Sequence, residues 1–203
     1  MVKQALYANA PVVSDTLRAI TRLSNIRRIC TFNYDDLLET ALLDAGRSYS
    51  TICEGDALNL LTEQLLIFHP HGFLPRKPSS RYDSLGIVLS EDDYHAMYSV
   101  PYSWANVMQI LLLHSYSILF IGMSLTDPNT RRLLDLCRQM RVVQSHFALQ
   151  RNPRYHPEAK GWEPLAYTGL DKFEAEFLLG RGVTAVWFNE YSEIAELLDE
   201  IGV

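Results

Sequence analysis

Apolar and polar positions along the 203 residues switch repeatedly between helical and extended periods, and that switching predicts the order of elements. Between Pro11 and Leu23, Val13, Leu17 and Ile20 recur at helical spacing, with Pro11 suited to a first turn. A short extended run from Arg28 to Phe32 follows. Asp35 then stands where it can cap a helix whose apolar positions Leu37, Leu38, Ala41, Leu42 and Ala45 end at Gly46. Two further apolar runs, Tyr49 to Cys53 and Gln64 to Phe68, read as strands, and the second enters His69-Pro70-His71-Gly72. Arg76 to Tyr82 reads as an exposed loop, Gly86 to Leu89 as a strand, and Ser90 with Asp93 as a capping box opening a helix. An apolar helix from Trp104 to Ser115 leads to a fully buried strand, Ser117 to Gly122. Then come a turn at Thr126 to Asn129, a helix to about Arg141, a strand at Ser145 to Leu149 and a polar loop rich in Pro and Gly. The last three elements are a helix near Asp171 to Leu179, a strand at Val183 to Phe188 and a helix from Ser192.

This alternation predicts an α/β fold: a Rossmann-like, mostly parallel sheet with helices on both faces, forming a single domain over residues 1–203. Such sheets bind ligands at the carboxyl ends of their strands, so the polar strand ends are the places to look for chemistry.

Bulk composition narrows the field. With 48% hydrophobic residues the chain can bury an ordinary core, and a net charge of −6 disfavours a nucleic-acid-backbone binder, which needs clustered cations. Arg27-Arg28 and the group Arg131, Arg132, Arg138 and Arg141 fit solvated faces beside core stripes. Cys30, Cys53 and Cys137 are widely spaced and odd in number, which indicates neither a disulfide framework nor a structural zinc module. No secretion signal and no membrane-length apolar run stands out, so the expected setting is cytoplasmic, without membrane partners. The apolar helix Trp104 to Ser115 fits internal core or the seam of a homo-oligomer, with core the simpler reading.

Three strand ends carry candidate chemistry. In Thr31-Phe32-Asn33-Tyr34-Asp35, the Asn33 amide can fix a ribose hydroxyl or a water without adding charge, or Asn33 simply makes the turn while Asp35 caps the helix. In His69-Pro70-His71-Gly72, Gly72 allows close backbone approach and His71 is a candidate general base. The H-x-H pattern also fits a metal pair, although no further ligands stand at metal spacing, so no metal is expected. In Gly122-Met123-Ser124-Leu125-Thr126-Asp127-Pro128-Asn129, backbone N–H groups and the Ser124 hydroxyl can hold ribose or phosphate; Asp127 there would repel phosphate or cap the helix.

Taken together these segments resemble the sirtuin-like domain of bacterial antiphage-defence proteins, a relative of the sirtuin deacylases. T-F-N-Y-D-D-L-L-E is similar to the family's T-x-N-Y-D motif and His71-Gly72 to its H-G. Ser90-Glu91-Asp92-Asp93-Tyr94 with Tyr98 resembles S-E-x-D-Y-x-x-x-Y, and Ile121 to Asn129 resembles I-G-x-S-L-x-D-x-N. The family's opening strand and G-A-G-x-S-type loop have no counterpart ahead of Asn33, so the chain is expected to be N-terminally incomplete. The deacylases' four zinc-binding cysteines are also without counterparts, which turns the expectation from deacylation toward the branch that hydrolyses NAD.

The resemblance implies an NAD glycohydrolase releasing nicotinamide and ADP-ribose, with NAD as substrate. Asn33 and His71 would be catalytic; Thr31, Asp35, Gly122 and Ser124 would bind the nucleotide, the last two on its adenosine side. The alternative is a catalytically silent module that binds NAD, ADP-ribose or a protein partner.

Overall fold

The computed structural model describes residues 2–57, 59–83, 86–141, 144–153 and 169–202. Its described elements are α1 (Val2–Tyr7), α2 (Asp15–Arg22), β1 (Arg28–Cys30), α3 (Leu37–Asp44), β2 (Tyr49–Ile52), β3 (Leu65–Phe68), α4 (Ser80–Asp83), α5 (Glu91–Ser99), α6 (Trp104–Ser115), β4 (Leu119–Phe120), α7 (Pro128–Gln139), β5 (His146–Arg151), α8 (Leu170–Leu179), β6 (Val183–Phe188) and α9 (Glu193–Ile201). Most of the predicted polar loop after β5 lies outside the described residues.

Every strand pairing among the described residues is parallel, as the alternation of strands and helices predicts. The pairings form two three-stranded sheets, β1-β3-β2 and β4-β5-β6. They belong to two compact units, Met1–Ala105 with Ala195–Val203, and Asn106–Ile194.

In the first unit β3 is central and all four of its residues are buried. A parallel strand flanked on both edges and covered on its faces needs a continuous apolar run, and Leu65-Leu66-Ile67-Phe68 supplies one. Leu65 and Ile67 pack with Leu38 and Leu42 of α3, and Leu17, Ile20 and Ile29 close against that cluster. In the second unit Ala148 and Val183, from β5 and β6, pack with Leu133, Leu134 and Cys137 of α7 and with Leu178 of α8.

Several elements depart from the sequence expectation for identifiable reasons. The helix expected from Pro11 begins at Asp15, because Ser14 is extended (φ −74°, ψ 162°) and its hydroxyl accepts from the Leu17 N–H as an N-cap. Residues Gly86 to Leu89 form no strand. The Val88 N–H donates to the His71 carbonyl and the Val88 carbonyl accepts from the Tyr34 hydroxyl, so its backbone is bonded to loops rather than to a ladder. The strand expected over Ser117 to Gly122 is ladder-paired only at Leu119 and Phe120, and both are half-buried. Arg76 to Tyr82 is not wholly loop, since α4 begins at Ser80.

Candidate active site

Asn33 and His71 occupy equivalent places on neighbouring strands. Cys30 of β1 and Phe68 of β3 are partners in the parallel register, and each candidate lies three residues beyond its partner residue. Both therefore leave the sheet at its carboxyl edge. The Thr31 N–H still donates to the Phe68 carbonyl (2.9 Å), after which the chain departs from the ladder. The Thr31 hydroxyl oxygen accepts from the Asn33 N–H (3.2 Å), so Thr31 shapes the turn that presents Asn33 at the exposed surface.

The expected capping by Asp35 is modified. The α3 N-cap position is Asp36, while Asp35 Oδ1 accepts from the Leu37 N–H (3.0 Å) at the start of the helix. Asp36 is tied elsewhere: its carboxylate accepts from the Arg76 N–H (2.7 Å), and its own N–H donates to the Tyr7 hydroxyl oxygen (3.0 Å). The bond from Arg76 joins the segment after Asn33 to the segment after His71, as does the Leu74 N–H donating to the Tyr34 carbonyl (2.7 Å).

His71 is half-buried within a ring of aromatic side chains. Its imidazole centroid lies 4.7 Å from that of Phe32, 6.2 Å from Tyr94 and 6.0 Å from Tyr98, and Nε2 is 2.9 Å from the Tyr98 hydroxyl. Tyr94 and Tyr98 both come from α5, one turn apart. The Ser90–Asp93 capping box starts α5 as predicted, with each side chain accepting from the other's backbone N–H at 3.0 Å. Gly72 has φ +96°, and a Cβ there would stand 2.6 Å from the Gly86 carbonyl oxygen, so glycine is required where the chain turns behind His71.

The two histidines of the H-x-H pattern have separate environments. His69 is buried beneath the turn, with Nδ1 3.1 Å from the Asn33 carbonyl oxygen and Nε2 2.8 Å from Glu39 Oε1. Both ring nitrogens thus have protein partners. Glu39 and His69 escaped sequence reasoning because they are thirty residues apart and meet only in the fold. Glu39 did leave one signal: a carboxylate beside Leu38 and Leu42 on the buried stripe of α3.

Gly122 and Ser124 belong to the second unit, at the end of β4. Gly122 has φ +70° and Leu125, unusually for a branched residue, φ +55°. Both Gly122 and Ser124 are exposed, and the Ser124 hydroxyl is 2.7 Å from that of Thr126. Asp127 caps α7 by accepting from the Thr130 N–H (2.6 Å), so the capping alternative raised for it is what the geometry shows. The Met123 carbonyl accepts from the Gln150 side-chain amide (2.8 Å) and that of Leu125 from Arg131 Nε (2.8 Å), which holds this turn against its own unit.

A groove of about 910 Å³ opens in the first unit, lined among others by Glu39, Thr40, Thr51, Arg76, Arg81 and Tyr82. Neither Asn33 nor His71 lines it. Desolvation pushes the thiols of Cys30 and Cys53 up to about 12 and raises that of Cys137, which disfavours their thiolate forms. No described helix is long and apolar enough to cross a membrane.

Comparison with known proteins bears on the four motifs together. The chain is 29% identical over 132 residues to Defense-associated sirtuin 2 of Bacillus subtilis, a stretch that covers 64% of this chain and 12% of that much longer protein. A model of the SIR2-like domain matches residues 27–168, more than half of the chain and a span that includes Asn33, His71, the α5 segment and the turn after β4. On that match the chain belongs to the SIR2-like domain family.

Proposed function

We propose that this domain is an NAD glycohydrolase acting in antiphage defence. One observation carries the reading: an exposed amide and an imidazole stand at matched positions beyond two paired parallel strands, tied together by hydrogen bonds between their loops. The name of the Bacillus relative supports the defence setting.

In this reaction the bond between the nicotinamide ring nitrogen and ribose C1′ breaks, and its electron pair leaves with nicotinamide. Water adds to C1′ and gives up one proton. The transition state resembles an oxocarbenium ion, so the protein contributes chiefly by holding the ribose and placing the water. Asn33 holds that water or a ribose hydroxyl through its side-chain amide. His71 takes the proton from the water or the hydroxyl. In the resting state the Tyr98 hydroxyl occupies His71 Nε2, and the reacting hydroxyl reaches that nitrogen by taking its place. Thr31 and Asp35 shape the ribose side of the site. No metal enters the scheme.

The test is nicotinamide release from NAD, followed by chromatography, by the chain and by its Asn33→Ala and His71→Ala variants. Loss of release in both variants, with the fold retained, supports the assignment. Tight ADP-ribose binding without any turnover would instead identify a silent nucleotide-binding module.

A further inference from the structure

Beneath the candidate site runs a buried hydrogen-bonded chain that the scheme above does not use. His69 is 1% exposed and Glu39 4%, and both belong to the first unit. His69 Nδ1 lies 3.1 Å from the Asn33 carbonyl oxygen, which can only accept, so Nδ1 carries a hydrogen and donates it. Nε2 lies 2.8 Å from Glu39 Oε1, and a proton sits between those two atoms whichever of them carries it. The Thr51 hydroxyl stands 3.4 Å from the same carboxyl oxygen, whereas Oε2 is buried with no hydrogen-bond partner among the described residues. Glu39 thus directs its hydrogen bonding at His69.

Asn33 needs such a tether. It lies outside the β1 ladder, it is exposed, and among the described residues its only other backbone hydrogen bond is the short-range one to the Thr31 hydroxyl. We infer that Glu39 and His69 are positioning residues for Asn33: Glu39 orients the buried imidazole, and the imidazole holds the Asn33 carbonyl so that its amide faces the reacting ribose. His69-Pro70-His71 then serves the site twice, through a buried histidine that places the asparagine and an outer one that handles the proton. This inference rests on the reading of Asn33 as catalytic.

Three variants test it. His69→Phe removes the bond to Asn33, and Glu39→Ala removes the group that orients the ring. Glu39→Gln keeps the geometry, because its amide can donate to Nε2 while Nδ1–H still donates to Asn33. The expected result is a fall in kcat of roughly 10- to 100-fold in His69→Phe and Glu39→Ala with KM little changed, and recovery of most of the rate in Glu39→Gln. Nuclear magnetic resonance of labelled protein supplies a readout independent of turnover. The Asn33 side-chain amide signals are expected to shift in His69→Phe and Glu39→Ala and to return in Glu39→Gln. A Glu39→Ala variant with wild-type kcat and unshifted Asn33 signals would overturn the inference, as would a Glu39→Gln variant no better than Glu39→Ala. If the unsubstituted chain releases no nicotinamide, the glycohydrolase reading fails by itself. The Asn33 signals then decide the positioning role alone, a shift supporting it and no shift overturning it.

Discussion

Gly72 directly follows the candidate base, and its φ of +96° together with the 2.6 Å approach to the Gly86 carbonyl leaves no place for a side chain. Gly72→Ala is therefore expected to destabilise the first unit by roughly 1–3 kcal/mol. Because the same turn carries His71, nicotinamide release should fall with it; an unchanged denaturation midpoint would contradict the argument. Tyr98 makes an opposite prediction. Its hydroxyl holds His71 Nε2 at 2.9 Å in the resting state, and Tyr98→Phe removes that bond. Losing one such competing bond should raise kcat/KM roughly 2- to 10-fold, whereas a fall would show that the hydroxyl orients the ring. At this scale Asn33 and His71 could be read from sequence as polar residues at strand ends that packing does not demand. The Glu39–His69 pair could not, because its meaning depends on a contact between α3 and the loop after β3 that no local pattern encodes.

Among the elements, β5 carries a buried titratable group with a consequence for pH. The His146 Nδ1 accepts from the Ile118 N–H (3.2 Å), and desolvation lowers the pKa of this buried ring below its ordinary value of 6.5. The folded state therefore prefers the neutral ring, while the unfolded chain binds a proton as pH drops through 6.5. Stability from this site is complete above that pH and declines as pH falls from there toward the lowered folded value. His146→Asn, which keeps an acceptor for Ile118 and does not titrate, is expected to flatten that part of the stability profile. An identical profile in the variant would exclude His146 as the source. Elements with sustained apolar runs, such as α6 and β6, were readable to within a residue. Those with short apolar runs were not: Gly86 to Leu89 has strand-like composition but Val88 bonds to loops instead of a strand, and Ser117 to Gly122 has the length of a strand with only two residues paired. Periodicity reports which face is apolar, and it does not report whether a neighbouring strand exists to pair with.

For the molecule as a whole, the parallel α/β character followed from the alternation of elements, while the separation into two three-stranded sheets did not. A sequence in which both central strands are apolar reads alike for one continuous sheet and for two. The family assignment spans residues in both units, and the matched stretch is 12% of the Bacillus relative, whose full length holds far more than this domain. What this domain does by itself is therefore the central question. Nicotinamide release from NAD by the purified chain, measured beside Asn33→Ala and His71→Ala variants of unchanged fold, addresses it most directly. Release by the unsubstituted chain and a loss of at least about 100-fold in each variant are expected; release that persists undiminished in His71→Ala would rule out His71 as the base.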